Sequence, residues 1–503
     1  FSSFFKADSM FDLWCRIIDP KSGKDIFAKK WSKPIKNASS ITTILAGTVL
    51  NNLGVSSKIT MQPVIIDPDA YEYYLKGKNA WEKKKNTNDI DLARELLNKA
   101  LEIDPTFNQA KIQLGQIFSG IADYNKANDI FNECLENAKD KNDERKIALA
   151  MFNLGNVKLL QYKIKETLEY YDVALDIARK YDDKYIELRI LQNIGVSYYL
   201  EGEFSLAEQY FSDSRNASKM IGDIQSEGEA LNNLGGIYLE ERNYITAMDA
   251  YTESYNIFKK IENKSQMLNS LIGISYSSMG LGKIDSALNY AESSLQAAKD
   301  ISDKRNEISS LSYIGEINYS IGNYETALNI FLNVSKLAAK IGDTYYSGVS
   351  FQYLGQLMHK NGQQDKSFMY FELADSVWKE LEDLTHSVWT TSAWSVAALQ
   401  HGDISTAVNK LLETESTLKE TKPYEDYAVC VYYDLYKYHL IEKDTTLALE
   451  YIKYANNEIN DRLKFISDSD DKRVYLKRII KYSEIVDLYK KYFTNKQKGE
   501  QHG

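Results

Sequence analysis

The chain has 503 residues, 44% of them apolar and 26% charged, with a formal net charge of −10. Six prolines and 25 glycines are too few for a loop-rich β-protein, and the abundant Leu, Ala, Glu, Lys and Tyr suit helices with aromatic packing. Cys15, Cys134 and Cys430 lie far apart, which excludes a disulfide framework or a zinc spacing and points to a reducing, cytoplasmic compartment. No run reaches the roughly 20 apolar residues of a membrane helix, and Ile41–Leu50 (ITTILAGTVL) is too short. The charge is uneven. Residues 1–60 and 471–503 each carry nine Lys/Arg against four Asp/Glu, so residues 61–470 carry −20, a poor surface for nucleic acid.

In chain order, the first sixty residues stand apart. MFDLWCRIID places Phe11, Leu13, Cys15 and Ile17 on one face of a strand, PKSG makes a turn, and KDIFAKKW is a second strand, so a hairpin is expected. A helix should follow through SSITTILAGTVLNNLGV, closed by Gly54. Two strands and a helix bury little, so residues 1–62 read as the end of a small α/β domain. The opening on Phe1, inside a strand-like pattern, fits a piece of a longer protein with no secretory leader of its own.

From residue 63 to 470 a 40-residue frame takes over. A small-residue slot reads Gly115, Gly155, Gly195, Gly235, Ser275, Gly315, Gly355 and Ser395. Twelve residues on come Ala127, Thr167, Ala207, Ala247, Ala287, Ala327, Ser367 and Ala407. Sixteen on come Phe131, Tyr171, Phe211, Tyr251, Ala291, Phe331, Phe371 and Leu411. Polar turns such as EGEF, ERNY and IGNY fall between the small slots, and a second turn carries Asp143, Asp183, Asp223, Asp303, Asp343 and Asp383. Each unit is therefore helix, tight turn, helix, polar turn. One helix pair cannot bury its apolar stripe alone, and stacked pairs share a continuous core, with the aromatic filling the wedge to the next pair. Ten units centre near residues 77, 115, 155, 195, 235, 275, 315, 355, 395 and 435. The periodic stretch RVYLKRIIKYSEIVDLYKKYF then forms a capping helix, residues 471–495, and residues 496–503 a disordered tail.

The Gly/Ala slot, the Ala twelve on and the aromatic four after that resemble the tetratricopeptide repeat. Tyr71–Pro105 matches best, with Gly77, Ala93, Ala100 and the closing Pro105. The resemblance implies an all-α, right-handed superhelical solenoid of about ten helix pairs whose first helices line a concave groove. The order RIIDPKSGKDIFAKKW, NNLGV, DPDAYEYYLKGKNAWEKK resembles a bacterial arrangement in which a domain similar to the amino-terminal domain of TolB precedes such repeats. That arrangement implies an upstream signalling module: a nucleotide cyclase, a Ser/Thr protein kinase or a winged-helix DNA-binding domain.

No catalytic constellation is expected in this chain, nor a cofactor or metal site. GLGK at Gly280–Lys283 lacks the spacing of a phosphate loop, with Ser277 and Ile284 at the flanks, and falls in the turn held elsewhere by ERNY and IGNY. His359, His386, His401, His439 and His502 do not pair at i, i+4. The signal that remains is amide. Near the glycine slot lie Gln113, Gln116, Asn153, Asn156, Gln192, Asn193, Asn232, Asn233, Gln352 and Gln356, with Tyr313 and Tyr353 continuing one column and Trp389 and Trp394 beyond. A side-chain amide both donates and accepts, so a ladder of them can hold the backbone of an extended peptide. The same amides can equally bond neighbouring helices and order the stack. Of these, Asn153, Asn156, Gln192, Asn193, Asn232, Asn233, Tyr313, Gln352, Tyr353 and Gln356 are the candidate groove residues of a protein- or peptide-binding signalling scaffold. A homodimer through the repeats or through an N-terminal edge strand is a further expectation.

Overall fold

Backbone punctuation every twenty residues sets the fold. Turns inside the repeats place Ala122, Tyr162, Gly202, Arg242, Gly282, Gly322, Gly362 and Gly402 at positive φ, and turns between repeats do the same for Asn142, Asp182, Gly222, Glu262, Ser302, Gly342 and Glu382. A left-handed residue reverses the chain sharply. One residue later Asp143, Asp183, Asp223, Asp303, Asp343 and Asp383 each accept the backbone N–H three residues on, so the aspartates read as turn residues are helix N-caps.

In the computed structural model, residues 2–7, 10–18, 25–34, 66–82, 87–420, 425–466 and 469–494 are described. They form two compact units, Phe1–Gly202 and Glu203–Gly503. The first unit opens with an antiparallel sheet of order β1-β2-β3: β1 (Ser2–Ala7), β2 (Met10–Ile18) and β3 (Asp25–Pro34). The expected hairpin is β2–β3, with Met10 opposite Pro34 and an irregularity at Ile17/Ile18. The additional β1 pairs Ser2 with Cys15. Its adjacent Phe4 and Phe5 break the alternation that marks a strand in sequence. The helix expected to end at Gly54 lies outside the described residues, as does the tail 496–503.

Helices of the first unit are α1 (Pro68–Glu82), α2 (Thr87–Ile103), α3 (Asn108–Gly120), α4 (Tyr124–Asp140), α5 (Glu144–Leu160), α6 (Ile164–Lys180) and α7 (Lys184–Leu200). The second unit holds α8 (Phe204–Ile221), α9 (Ile224–Glu240), α10 (Tyr244–Lys260), α11 (Lys264–Gly280), α12 (Ile284–Asp300), α13 (Lys304–Ser320), α14 (Tyr324–Ile341), α15 (Thr344–Lys360), α16 (Gln364–Glu380), α17 (Leu384–His401), α18 (Ile404–Glu420), α19 (Glu425–Ile441), α20 (Thr445–Leu463), α21 (Ser469–Arg478) and α22 (Ile480–Tyr489), then a π-turn, Lys490–Thr494. The helices form an all-α solenoid, and within each unit most consecutive helices pack as neighbours. Where one capping helix is expected there are two, broken at Ile479, whose buried side chain (5% exposed) sits in the apolar cluster while its backbone is extended.

The glycine slot is the floor of an aromatic pocket. A Cβ added at Gly115, Gly155, Gly235, Gly315 or Gly355 would stand 2.5–2.9 Å from the ring sixteen residues on: Phe131, Tyr171, Tyr251, Phe331 or Phe371. The ring thus closes its own helix pair. It also reaches the next one: Phe331 stacks on Tyr353 with centroids 4.3 Å apart, and Tyr251 lies against Gly273. Where the slot holds Ser275, position 291 is Ala, and Ser275 Oγ donates to Ala287 O at 2.5 Å instead.

Candidate functional site

Six of the ten candidate groove residues are first-helix amides that tie one repeat to the next. In the first unit Gln116 Nε2 on α3 donates to Asn153 Oδ1 on α5 at 3.2 Å, and Asn153 Nδ2 donates to Leu149 O at 2.7 Å. One repeat on, Asn193 Nδ2 on α7 donates to Asn156 Oδ1 at 2.8 Å. Tyr171 Oη on α6 donates to Asn156 Oδ1 at 2.6 Å and accepts from Asn193 at 3.3 Å. The rule is periodic: the amide one after the glycine slot meets the amide two before the next slot. In the second unit those two columns hold Tyr276 and Tyr313, whose rings lie 3.9 Å apart.

A second periodic link joins the amide three before the slot to a hydroxyl of the following repeat. Ser270 Oγ donates to Asn232 Oδ1 at 2.9 Å, and Thr390 Oγ1 donates to Gln352 Oε1. Gln356 Oε1 accepts from Tyr319 Oη at 2.6 Å. Sequence reasoning missed these hydroxyl partners, although the column Ser270, Ser310, Ser350 and Thr390 repeats at the frame spacing.

Burial divides the candidates. Asn153, Tyr313, Gln352, Tyr353 and Gln356 are buried; Asn156, Gln192, Asn193, Asn232 and Asn233 are half-buried. Tyr353 is enclosed by Phe331, Tyr319 and Trp389, with the last two 5.2 and 5.1 Å away edge-on. Trp389 is 2% exposed, and half-buried Trp394 carries Lys410 Nζ 4.4 Å from its ring. Three buried donors, Asn232 Nδ2, Gln352 Nε2 and Gln356 Nε2, face no acceptor. Gln192 and Asn233 are only half-buried and make no internal hydrogen bond, so their amides are available to a ligand. Beside Gln192, the Arg189 guanidinium lies 4.9 Å above the Phe152 ring, adding fixed positive charge. Burial raises the Tyr171 phenol far above its ordinary pKa, with the Asn193 bond and Arg189 opposing, so it stays a donor in the network.

Among the described residues no three His, Cys, Asp or Glu gather as metal ligands would, and no helix is long and apolar enough to cross a membrane. The GLGK stretch is the turn between α11 and α12, with Gly282 at positive φ.

Residues 73–107 and 146–220 each match a family model described as tetratricopeptide repeat. Among solved structures, the chain is similar to a Rap protein complexed with Competence and Sporulation Factor. The TM-score is 0.51 at 15% identity, covering 71% of this chain and 99% of that one. It is also similar to a STAND (Signal Transduction ATPase with Numerous Domains) protein with a tetratricopeptide repeat sensor, PH0952 from Pyrococcus horikoshii. There the TM-score is 0.53 at 12% identity, covering 73% of this chain and 55% of that longer one. A third is the Rap conjugation gene regulator of plasmid pLS20 in complex with the Phr* peptide, with TM-score 0.50, 11% identity, and 67% and 96% covered. At these identities the likeness is one of fold.

Proposed function

We propose that the chain is a non-catalytic tetratricopeptide scaffold that binds an extended peptide or protein segment along its first helices, as the sensory or interaction part of a bacterial signalling protein. The observation that carries this, taken in each unit by itself, is the presence of unspent first-helix amides, Gln192 in the first unit and Asn233 in the second, where amides such as Asn193 and Asn232 are committed to the stack. A side-chain amide that neither packs nor bonds internally can give both a donor and an acceptor to a passing peptide backbone. The Rap and STAND neighbours support the reading, because two Rap structures are complexes with a factor and a peptide and the STAND repeat domain is described as a sensor. The domain similar to that of TolB, and a cyclase, kinase or DNA-binding module upstream, belong to the same reading.

The test is display selection of random peptides on the intact chain, followed by titration of the selected peptides against single variants. Gln192→Ala or Asn233→Ala should weaken binding about 2- to 12-fold, one lost hydrogen-bonding pair being worth roughly 0.5–1.5 kcal/mol. Selected peptides that ignore both variants refute the groove.

A further inference from the structure

The C-terminal helices do more than close the last repeat. Within the second unit they lie against repeats far back in the sequence. Tyr475, Ile479, Tyr482 and Ile485 join one buried cluster with Ile284 and Ala287 of α12, Tyr313 and Ile317 of α13, and Ile452 and Ile459 of α20. A Cβ at Gly282 would stand 3.3 Å from both Ile466 Cδ1 and Tyr475 Cβ. The Phe465 ring meets Tyr244 edge-on at 5.6 Å, and Glu458 reaches Arg242 at 3.4 Å. Tyr433 Oη donates to Glu484 Oε2 at 2.9 Å, and Lys481 faces Cys430, Asp434 and Tyr319.

The covered turn departs from its equivalents in other repeats. Ile284 is 1% exposed, whereas Ile404 at the same frame position is 53% exposed. Leu281 is 6% exposed where the corresponding Glu241, Asn361 and His401 are polar and solvent-facing. Burial therefore deepens at a repeat turn that the C-terminal segment covers, and Ile321, at the frame position of Leu281, packs partly buried against the same cluster.

We propose that residues 465–493 are a reversible intramolecular occupant of the face formed by Leu281, Ile284, Tyr313 and Tyr319, and that they hold closed a site for an amphipathic helix of a partner protein. This rests on the scaffold reading above. The occupant supplies the recognition pattern itself: on α22 Tyr482 and Ile485 stand three apart on one face with Lys481 and Glu484 beside them, and Tyr475 of α21 and Ile479 at the break extend that apolar surface. Helices α21 and α22 have ten residues each, too short to persist undocked, so release and unfolding of the segment are one event. Tethering gives the segment an effective concentration on the order of millimolar, so a partner must bind well below that to displace it.

Hydrogen exchange on the full chain tests the contact. In Ile466→Asp/Tyr475→Asp, amides of Ser469–Tyr489 and of Leu281–Ile284 should exchange at least tenfold faster, while those of Tyr324–Lys360 stay within twofold. Loss of protection throughout the second unit would show an integral structural element and overturn the proposal. The second arm titrates a labelled peptide of residues 463–493 against the full chain. The double variant should bind it at least tenfold more tightly than the parent, and Tyr475→Phe should behave as the parent. Equal binding to parent and double variant overturns the receiving site. Either failure leaves the peptide groove standing, because that reading is tested separately, at Gln192 and Asn233.

Discussion

Gly155→Ala puts the pocket logic to a quantitative test. In an open helix interior the change would gain about 1 kcal/mol in propensity. Here the new Cβ would stand 2.5 and 2.7 Å from Tyr171 Cε1 and Cδ1, and 3.3 Å from Tyr170 Cβ. Carbon atoms sit comfortably at roughly 3.5–4.0 Å, so the ring must retreat by about 1 Å. It has nowhere to go: Tyr171 is 0% exposed, and its hydroxyl is bonded to Asn156 at 2.6 Å and Asn193 at 3.3 Å. Overpacking costs about 1–3 kcal/mol and each weakened hydrogen bond up to about 1 kcal/mol, so after the propensity gain a net loss of about 1–3 kcal/mol is expected. Native-state hydrogen exchange resolves this locally, which suits a repeat array whose units open separately. Amides of α5 and α6 should exchange roughly 5- to 150-fold faster. Unchanged or slower exchange would refute the pocket. The control lies in the repeat where Ser275 faces Ala291 rather than a ring. In a Tyr171→Ala background, Gly155→Ala should become neutral or favourable, giving a coupling of about 1 kcal/mol or more.

Asn153→Ala should cost about 1–3 kcal/mol in thermal unfolding, since it leaves Gln116 Nε2 without its acceptor, whereas Gln192→Ala should stay within about 0.5 kcal/mol. Asp383→Ala should cost about 0.5–2 kcal/mol and speed exchange at the start of α17, because Asp383 caps His386 N at 3.0 Å and bonds its Nδ1 at 2.7 Å. Burial pushes the Asp383 carboxyl up, but those bonds outweigh it and hold the pKa below the ordinary 3.8. Its stabilisation is therefore present above the unfolded value near pH 4 and lost as pH falls through the lowered value, so Asp383→Asn should flatten the acid limb of the unfolding curve. Glu382→Gly should raise the melting temperature slightly, since Glu382 holds φ +53°, where a side chain costs about 1 kcal/mol; Glu382→Val, lowering it, is the companion measurement.

The solenoid was legible because its determinants are periodic and local. Small slots, ring slots and Asp caps each recur at 40 residues, and each acts within one helix pair or its neighbour. The coupling of slots was not legible as separate columns: Gly155 and Tyr171 make one pocket, and Ser275 with Ala291 makes its substitute. The amide columns were visible, but not which amides were spent. Asn153, two before its slot, is buried and bonded to Gln116, whereas Gln192, three before the next, is half-buried and unbonded. Whether an amide is spent depends on whether a neighbouring repeat supplies a partner such as Gln116, a relation 37 residues away. The docking of the C-terminal helices is longer in range still, and no local pattern announces it.

One sequence feature left unexplained by the repeat frame finds part of its reason, at position 313, in that docking. The column two before the slot reads Gln113, Asn153, Asn193 and Asn233, then changes to Gly273, Tyr313 and Tyr353. An amide at 313 would be a poor choice: the position lies in the apolar cluster with Tyr475, Ile479 and Tyr482, where an unpaired amide costs about 1–3 kcal/mol. Tyrosine fills that space and stacks on Tyr276. At 273 the Tyr251 ring would lie 2.4 Å from any Cβ, so only glycine fits. At 353 the ring sits between Phe331 and Trp389. The amide row therefore stops where the first-helix face ceases to be a polar surface and becomes a buried contact. If the segment 465–493 is the cause at position 313, Tyr313→Asn should destabilise the docked C-terminal helices before it disturbs α13 itself. Exchange of the Ser469–Tyr489 amides should then rise by a larger factor than that of Lys304–Ser320; the reverse order would place the origin of the aromatic column in repeat stacking alone.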